Sequence, residues 1–290
     1  MSEPFRDVLP TESEYWEACA RHSNRYTTRN ISVLFLCDEC ARVLTRECFN
    51  GRPPICHGDT FKGYCGLCNK LTAVTMRQWF ICQICLNVVL SYPKSMAATQ
   101  FVRSFWETQI QANWPELELS ESDVVQIEPF VPGKRSQKAK AITVESLDFL
   151  ARRRREASYE GLFHIEMKTG PSSISEMRKF QLDVNDFNDI KTVVIKTGLP
   201  AYVFHVQVVE EYRLPTKRSV AKGMWWADII SLRSNLKAVR PRRGEDKDAG
   251  YYQPSVFQPT EKFVEEIREK RYEILAEKIR REGLNDLPPR

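Results

Sequence analysis

The sequence contains no apolar run approaching the roughly 20 residues that a membrane-crossing helix needs, so no bilayer span is expected. Its first residues, MSEPFRDVLP, lack the basic-then-apolar pattern of a secretion signal, and a cytoplasmic location is the expectation. No G-x4-G-K-[ST] loop occurs, so any activity is expected to run without a P-loop ATPase on this chain. Strong charge of one sign is also missing. The 43 Lys and Arg against 38 Asp and Glu leave a net charge of +5, too mild to name a nucleic-acid partner by itself. Core-forming residues are not scarce: 42% hydrophobic and 28% charged residues exclude a mostly disordered or collagen-like chain. A chain of 290 residues can bury two modest cores, and two domains are expected.

Cysteine is absent beyond Cys85, and the nine up to and including it fall mostly in C-x2-C pairs. Without a secretion signal, that spacing favours metal over disulfides, with zinc as the leading ion. The region also repeats itself. Asn24 to Leu44 aligns without gaps on Asn69 to Val89, matching Thr27 with Thr72, Phe35 with Phe80, Cys37 with Cys82, Cys40 with Cys85 and Val43 with Val88. In each copy an apolar strand-like run leads through C-x2-C into a helix-like run. Cys65, Cys68, Cys82 and Cys85, with 13 residues between the pairs, are expected to close one tetrahedral site. The unit resembles a treble clef or zinc ribbon. In the first copy Cys19, His22, Cys37 and Cys40 are expected to close a second site, with Cys48, Cys56 and His57 as alternative ligands. Interleaved pairs, as in RING-like cross-braces, are a further arrangement of the same ligands. Closed four-ligand sites hold folds together, so two structural zinc ions are expected and chemistry is sought elsewhere. Arg25, Arg29, Lys70 and Arg77 fit phosphate contacts and solvated surface equally.

Composition divides the chain into a zinc-binding domain (1–92), a second domain (93–240), a polar linker or long loop (241–259) and a C-terminal helix (260–290). The first break falls at Tyr92-Pro93, and the second in the polar stretch RPRRGEDKDAG. Val264, Ile267, Ile274, Leu275 and Ile279 mark the terminal segment as one amphipathic helix, with docking or oligomer contact as its expected role.

The chemistry-bearing segment is GLFHIEMKTG, from Gly161 to Gly170. As a strand it sends Phe163, Ile165 and Met167 to one face and His164, Glu166 and Lys168 to the other. A carboxylate and an amine sharing a buried face call for a second carboxylate and a metal ion. Asp148, near the end of AITVESLDFL, is the candidate, with RRRREASYEG read as the turn between two antiparallel strands. His164 and His205 read as satisfied strand histidines, while Trp225 and Trp226 fit core packing or base stacking.

Asp148, followed after a loop by Glu166-x-Lys168, resembles the PD-(D/E)xK nuclease superfamily, with Leu147 where the family often has proline. That resemblance implies a restriction-endonuclease-like α+β to α/β fold, a mixed sheet flanked by helices, here preceded by the small zinc-binding domain. The family's order of helix, three strands, helix and strand can be followed along the chain. Met96 to Asn113 is expected as the first helix, followed by strands at Val124 to Phe130, Ile142 to Leu150 and Leu162 to Lys168. Ser173 and Glu176 have capping-box spacing for a helix carrying Ile174, Met177, Phe180, Val184 and Phe187, closed by Gly198 and Pro200. Ala201 to Val209 then pairs parallel to the E-x-K strand. The resemblance further implies that Asp148, Glu166 and the Met167 carbonyl bind catalytic magnesium while Lys168 serves the attacking water and phosphate. Glu107 and Gln181 are additional candidates.

Lys134, Arg135, Lys138 and Arg152, Arg153, Arg154 flank the proposed strands and are expected on loops that grip phosphates. Double-stranded DNA is the expected substrate. A restriction-type or defence endonuclease, with the zinc module aiding recognition, is the sharpest reading. Cutting both strands takes two centres, which points to a homodimer. The alternative is a zinc-dependent nucleic-acid-binding or adaptor protein on an inactive nuclease fold.

Overall fold

The computed structural model describes residues 31–49, 56–60, 63–68, 71–72, 75–121, 125–126, 144–145, 147–213, 216–241 and 248–284. The chain divides into two units, Met1–Ala97 with Glu210–Val220, and Ala98–Val209 with Ala221–Arg290. No described helix is long and apolar enough to cross a membrane.

In the first unit the β-branched and aromatic run ISVLFLC forms β1 (Ile31–Cys37), which passes directly into α1 (Asp38–Phe49). The same step recurs from β5 (Thr75–Cys82) into α2 (Gln83–Phe105), so the repeat read in the sequence is a repeat of structure. Between them lie β2 (Cys56–Thr60) and the short pair β3 (Gly63–Tyr64) and β4 (Leu71–Thr72). β5 is central, with β1 and β2 antiparallel on either side. The β1–β5 register sets Ile31 opposite Cys82 and Cys37 opposite Met76, putting the two C-x2-C turns at opposite ends of the strand pair. Leu34, Leu36, Ala41, Leu44, Trp79 and Val89 form this unit's core. The expected break at Tyr92-Pro93 is absent: Pro93 lies inside α2, and the unit boundary follows Ala97.

The second unit is built on a six-stranded mixed sheet. Its strands are β6 (Leu117–Glu121), β9 (Phe149–Arg154), β10 (Tyr159–Gly170), β12 (Ala201–Arg213), β13 (Thr216–Asp228) and β16 (Gln258–Pro259), in spatial order β6-β9-β10-β12-β13-β16. β9 runs antiparallel to both β6 and β10, while β10 and β12 are parallel, as expected for a crossover. A small hairpin, β7 (Val125–Gln126) with β8 (Val144–Glu145), lies outside this sheet. The expected strands at Val124–Phe130 and Ile142–Leu150 are therefore displaced to β6 and β9. LELSE lies between the expected first helix and first strand, and the arginine run is the segment expected as turn.

The crossover from β10 to β12 also differs in detail. Ser173 and Glu176 do form a capping box, but it caps a single 3-10 turn, Ile174–Glu176. Phe180–Asp183 is then a strand, β11, and the helix proper is α3 (Val184–Thr197). It ends at Gly198 as expected, with φ of 69° in the left-handed region that glycine adopts without a Cβ penalty. β12 is followed through β13 by α4 (Ile229–Ser234), β14 (Leu236–Pro241) and β15 (Asp248–Tyr252). β15 pairs with both β11 and β14, and its Ala249 and Tyr252 are buried. Much of the expected linker is thus core structure.

Alternation along the strands separates two packed faces. Ala201, Val203 and Ala227 join Phe187, Ile190, Val193 and Val194 of α3 in one core. On the other face Phe163, Tyr202, Phe204 and Trp226 surround Phe263, mostly edge to face, with Phe204 and Phe263 centroids 4.9 Å apart at 88°. Phe263 belongs to α5 (Thr260–Arg268), which α6 (Arg271–Glu282) follows. The expected single terminal helix is broken at Lys270, whose φ of 51° ends the helical path. The break resets the stripe, so Ile274, expected on the apolar face, is 66% exposed. Trp226 is core, its Nε1–H donating to the Pro259 carbonyl at 3.0 Å.

Candidate functional site

Two clusters bring together residues whose chemistry exceeds packing. In the first unit Cys37 closes β1, Cys40 lies in the first turn of α1, and Cys65 and Cys68 bracket the turn after β3. Their four Sγ atoms lie within 4.8 Å of one another, with Cys37 and Cys68 3.9 Å apart. A tetrahedral four-thiolate zinc site, with Zn–S of about 2.3 Å, has edges of about 3.8 Å, so these residues fit the ion. Without a cation the thiols cannot all ionise. A hydrogen bond from Cys40, helped by backbone N–H groups of Cys37, Cys68 and Leu67, lowers the Cys65 pKa to about 4. Its thiolate character, with burial, drives Cys40 strongly upward.

This grouping corrects the expected ligand pairs. Cys65 and Cys68 close on Cys37 and Cys40, leaving the expected Cys82 and Cys85 at the far end of the β1–β5 pair. The two-residue spacing within each pair is the same in either arrangement. What decides is the docking of the Cys65–Cys68 turn on β1, where the Gly66 N–H donates to the Phe35 carbonyl at 2.7 Å. A Cβ at Gly66 would lie 2.8 Å from Leu34 Cδ1 and 3.2 Å from that carbonyl, so a larger residue would have to push back the Leu34 side chain and loosen the turn's approach to β1. Cys19, His22 and the basic candidates Lys134, Arg135 and Lys138 lie outside the described residues.

The second cluster lies on β10, on the sheet face covered by α3. The β9–β10 register pairs Phe149 with Ile165, which brings Asp148, one residue before β9, beside the Glu166–Met167 step. There the Met167 N–H donates to Asp148 Oδ2 at 2.6 Å. Two residues along, Lys168 Nζ is 2.7 Å from Glu166 Oε1 and 2.8 Å from Asp186 Oδ2. Asp148, Glu166 and Lys168 therefore converge as expected. Asp186, in the first turn of α3, was not read from the sequence. Its signal there is ambiguous, since a helix dipole favours a carboxylate in any first turn.

Three carboxylates around one ammonium leave the cluster net negative. Burial raises the Glu166 pKa to about 7, reinforced by Asp148 and opposed by Lys168. Asp148 keeps solvent access, yet the protein crowding its carboxyl raises its pKa, against the Met167 N–H and Lys168. Burial works to lower Lys168, but Glu166 and Asp186 outweigh it and hold the amine protonated. An all-oxygen donor set with excess negative charge fits a hard divalent cation such as magnesium. A carboxyl whose folded pKa exceeds its unfolded value of about 4.5 opposes folding once ionised. The cation-free protein should therefore lose stability as pH rises from about 4.5 through 7 and change little from this group above that. Thermal unfolding in EDTA across pH 5 to 8 checks the sign, and a melting temperature rising over that range would contradict it.

Other candidates fall elsewhere. Glu107 is exposed in the π-helical stretch Trp106–Gln111 and has no part in the Lys168 ion pairs. Gln181 is exposed on β11, not on the helix where it was expected. Arg152, Arg153 and Arg154 lie in β9 and not on a loop. They are four to six residues from Asp148, roughly 13–20 Å along a strand. Arg152 and Arg154 pair with Glu118 of β6, and Arg153 donates to the Tyr272 hydroxyl at 2.8 Å. His164 and His205 are buried and satisfied, by the Thr197 hydroxyl and the Ser172 carbonyl.

No protein-family model matches the chain, and no curated protein matches it. Among solved structures it is similar to Hjc, a Holliday junction resolvase from Archaeoglobus fulgidus. That alignment has 11% identity and a TM-score of 0.30, and covers 59% of this chain and 98% of that one. It is also similar to a nuclease from a fusselovirus, with 13% identity, a TM-score of 0.29, and coverage of 64% of this chain and 93% of that one. At these scores the likeness leaves activity to be argued from the residues themselves.

Proposed function

We propose that this chain is a metal-dependent nuclease that hydrolyses phosphodiester bonds at Asp148, Glu166 and Lys168. The observation that carries the reading is the convergence of two carboxylates with raised pKa values and one lysine on adjoining strand residues. A scaffold has no use for crowded carboxylates of this kind, which oppose folding when unneutralised. Asp148 and Glu166 would hold the magnesium ion, with the Met167 carbonyl as a further oxygen donor. Bound magnesium supplies charge neutralisation at phosphate and a water of lowered pKa. Lys168, kept protonated, orients the attacking water and stabilises the negative charge that builds on the phosphate.

Duplex DNA is the substrate in this reading, in a restriction-type or defence role, with a homodimer supplying two centres. Its support is the resemblance of Asp148 and Glu166-x-Lys168 to the PD-(D/E)xK motif. Lys134, Arg135 and Lys138, on the segment leading to Asp148, are the proposed phosphate contacts. The zinc module holds two structural ions and aids recognition. One ion sits on Cys37, Cys40, Cys65 and Cys68, whose geometry fits it. For the second ion the sequence still offers Cys82 and Cys85 together with Cys19 and His22.

Supercoiled plasmid incubated with the full chain should be nicked or linearised in magnesium and left intact in EDTA, as read on agarose gels. Cutting that persists in EDTA would refute metal dependence. Retention of DNA without cutting in any divalent ion would favour the nucleic-acid-binding alternative.

A further inference from the structure

Lys168 is shared almost evenly by two carboxylates from different elements, Glu166 of β10 at 2.7 Å and Asp186 of α3 at 2.8 Å. That division is at odds with a simple surface ion pair. Glu166 is the more buried partner, with 15% of its side chain exposed against 34% for Asp186. Glu166 is also the group that the proposed function gives to a divalent cation. A cation approaching Glu166 meets an ammonium already on the same carboxylate, and like charges at that range repel by several kcal/mol at an effective dielectric of about 20. The lysine needs somewhere to go without leaving the site. Asp186 is already within hydrogen-bond distance, so the transfer requires no backbone motion.

We propose that Asp186 is a positioning residue, which takes over Lys168 when a divalent cation takes Glu166. The inference rests on the metal site of the proposed function and adds a residue and a role to it. Asp186 acts through the lysine and not as a ligand. Removing it commits Lys168 to Glu166 alone, and the cation must then displace a lysine held more tightly. The position favours this division of labour. Asp186 rides on α3, whose Phe187, Ile190, Val193 and Val194 are buried in the core, so its carboxylate is fixed relative to β10. Being partly exposed, it can also lose its charge without leaving a void or an unsatisfied buried group.

Calcium binding, which needs no turnover, tests the proposal by isothermal titration calorimetry on the full chain. The set is wild type, Asp186→Asn, Lys168→Ala and the double variant, with Asp186→Glu as a rescue. Asp186→Asn should weaken calcium affinity about tenfold when Lys168 is present and less than threefold in the Lys168→Ala background. Asp186→Glu should restore affinity to within threefold of wild type. Equal weakening in both backgrounds would overturn the proposal, making Asp186 a direct ligand or a through-space charge. No weakening in either background would overturn it as well. The nuclease reading stands or falls separately. A wild type that binds calcium with the expected coupling but cuts nothing would retain the lysine transfer and lose the nuclease. A wild type that cuts DNA but shows additive effects would do the reverse. Absence of calcium binding in wild type would remove both the metal site and the transfer.

Discussion

Replacing Glu166 by glutamine should sharply slow cleavage while making the cation-free protein more stable at pH 8. The two effects have one cause. Glutamine keeps the shape and removes the charge, so it removes a metal-binding carboxylate that burial and Asp148 have pushed to about 7. A rise of that size from about 4.5 corresponds to a cost on the order of 3 kcal/mol above neutral pH, which the amide does not incur. Cleavage should fall by roughly 100-fold to 1,000-fold, the scale seen when a principal source of electrostatic stabilisation is removed. Lys168→Ala should lower turnover comparably, but with the opposite effect on stability, because it takes from Glu166 and Asp186 the ammonium that pairs with both. Single-turnover cleavage of a labelled duplex, beside thermal unfolding in EDTA at pH 8, reads both quantities. If the pair were a surface salt bridge, Glu166→Gln would shift stability downward by about 0–1 kcal/mol and leave cleavage intact. Destabilisation together with retained cutting would therefore move the active centre elsewhere. The opposed signs matter because misfolding could mimic a loss of activity, but misfolding cannot raise stability.

The parts of this site that could be read from sequence are those whose information is local. Alternation in GLFHIEMKTG fixes that Glu166 and Lys168 share a face, and Gly198 before Ala201 to Val209 marks a helix end before a buried parallel strand. What escaped depends on contacts distant in sequence. Arg152, Arg153 and Arg154 read as a turn because, apart from Glu160 beside Arg153, what they pair with is distant. Glu118 is 34 and 36 residues away from Arg152 and Arg154, and Tyr272 is 119 residues from Arg153. β6 was missed for the complementary reason, since LELSE is a polar edge strand whose Glu118 exists to meet those arginines. Ser173 and Glu176 gave a correct capping box, yet a box specifies only a first turn, and here the chain goes on to pair Phe180 to Asp183 with β15. Asp186 could not be separated from an ordinary helix-start carboxylate until Lys168 was seen beside it. The cysteines are the sharpest instance. Their identity and spacing announce zinc, but two-residue spacing is the same in every pair, so which pairs meet is decided by the Gly66 contact with β1.

That contact makes the zinc ligands the most stability-sensitive positions of the first unit. Cys65→Ser should release one of two zinc ions and unfold the unit around it, whereas the same change at Cys48 should leave two ions bound. Among the described residues the core here is small. Leu34, Leu36, Ala41, Leu44, Trp79 and Val89 are its main apolar residues, and Cys37 and Cys65 are buried among them. Structural zinc contributes roughly 10–16 kcal/mol of binding free energy in small peptides at neutral pH, more than the few kcal/mol a core of this size retains after ordering its chain. Removing one thiolate leaves the other three crowded within 4.8 Å without a full tetrahedron. Gly66→Ala probes the same site without touching a ligand, because its Cβ would force the turn away from the Phe35 carbonyl and weaken the metal site. Zinc content by plasma emission spectroscopy and limited proteolysis of the full chain give the two readouts. The expected series is two ions in wild type and Cys48→Ser, one in Cys65→Ser, and one in Cys40→Ser. The discriminating variant is the Cys40→Ser/Cys65→Ser double. The grouping seen here puts Cys40 and Cys65 in one cluster, so the Cys40→Ser/Cys65→Ser double variant should keep the other proposed ion. Sequential sites would put those two cysteines on different ions, and the same double variant would then hold none.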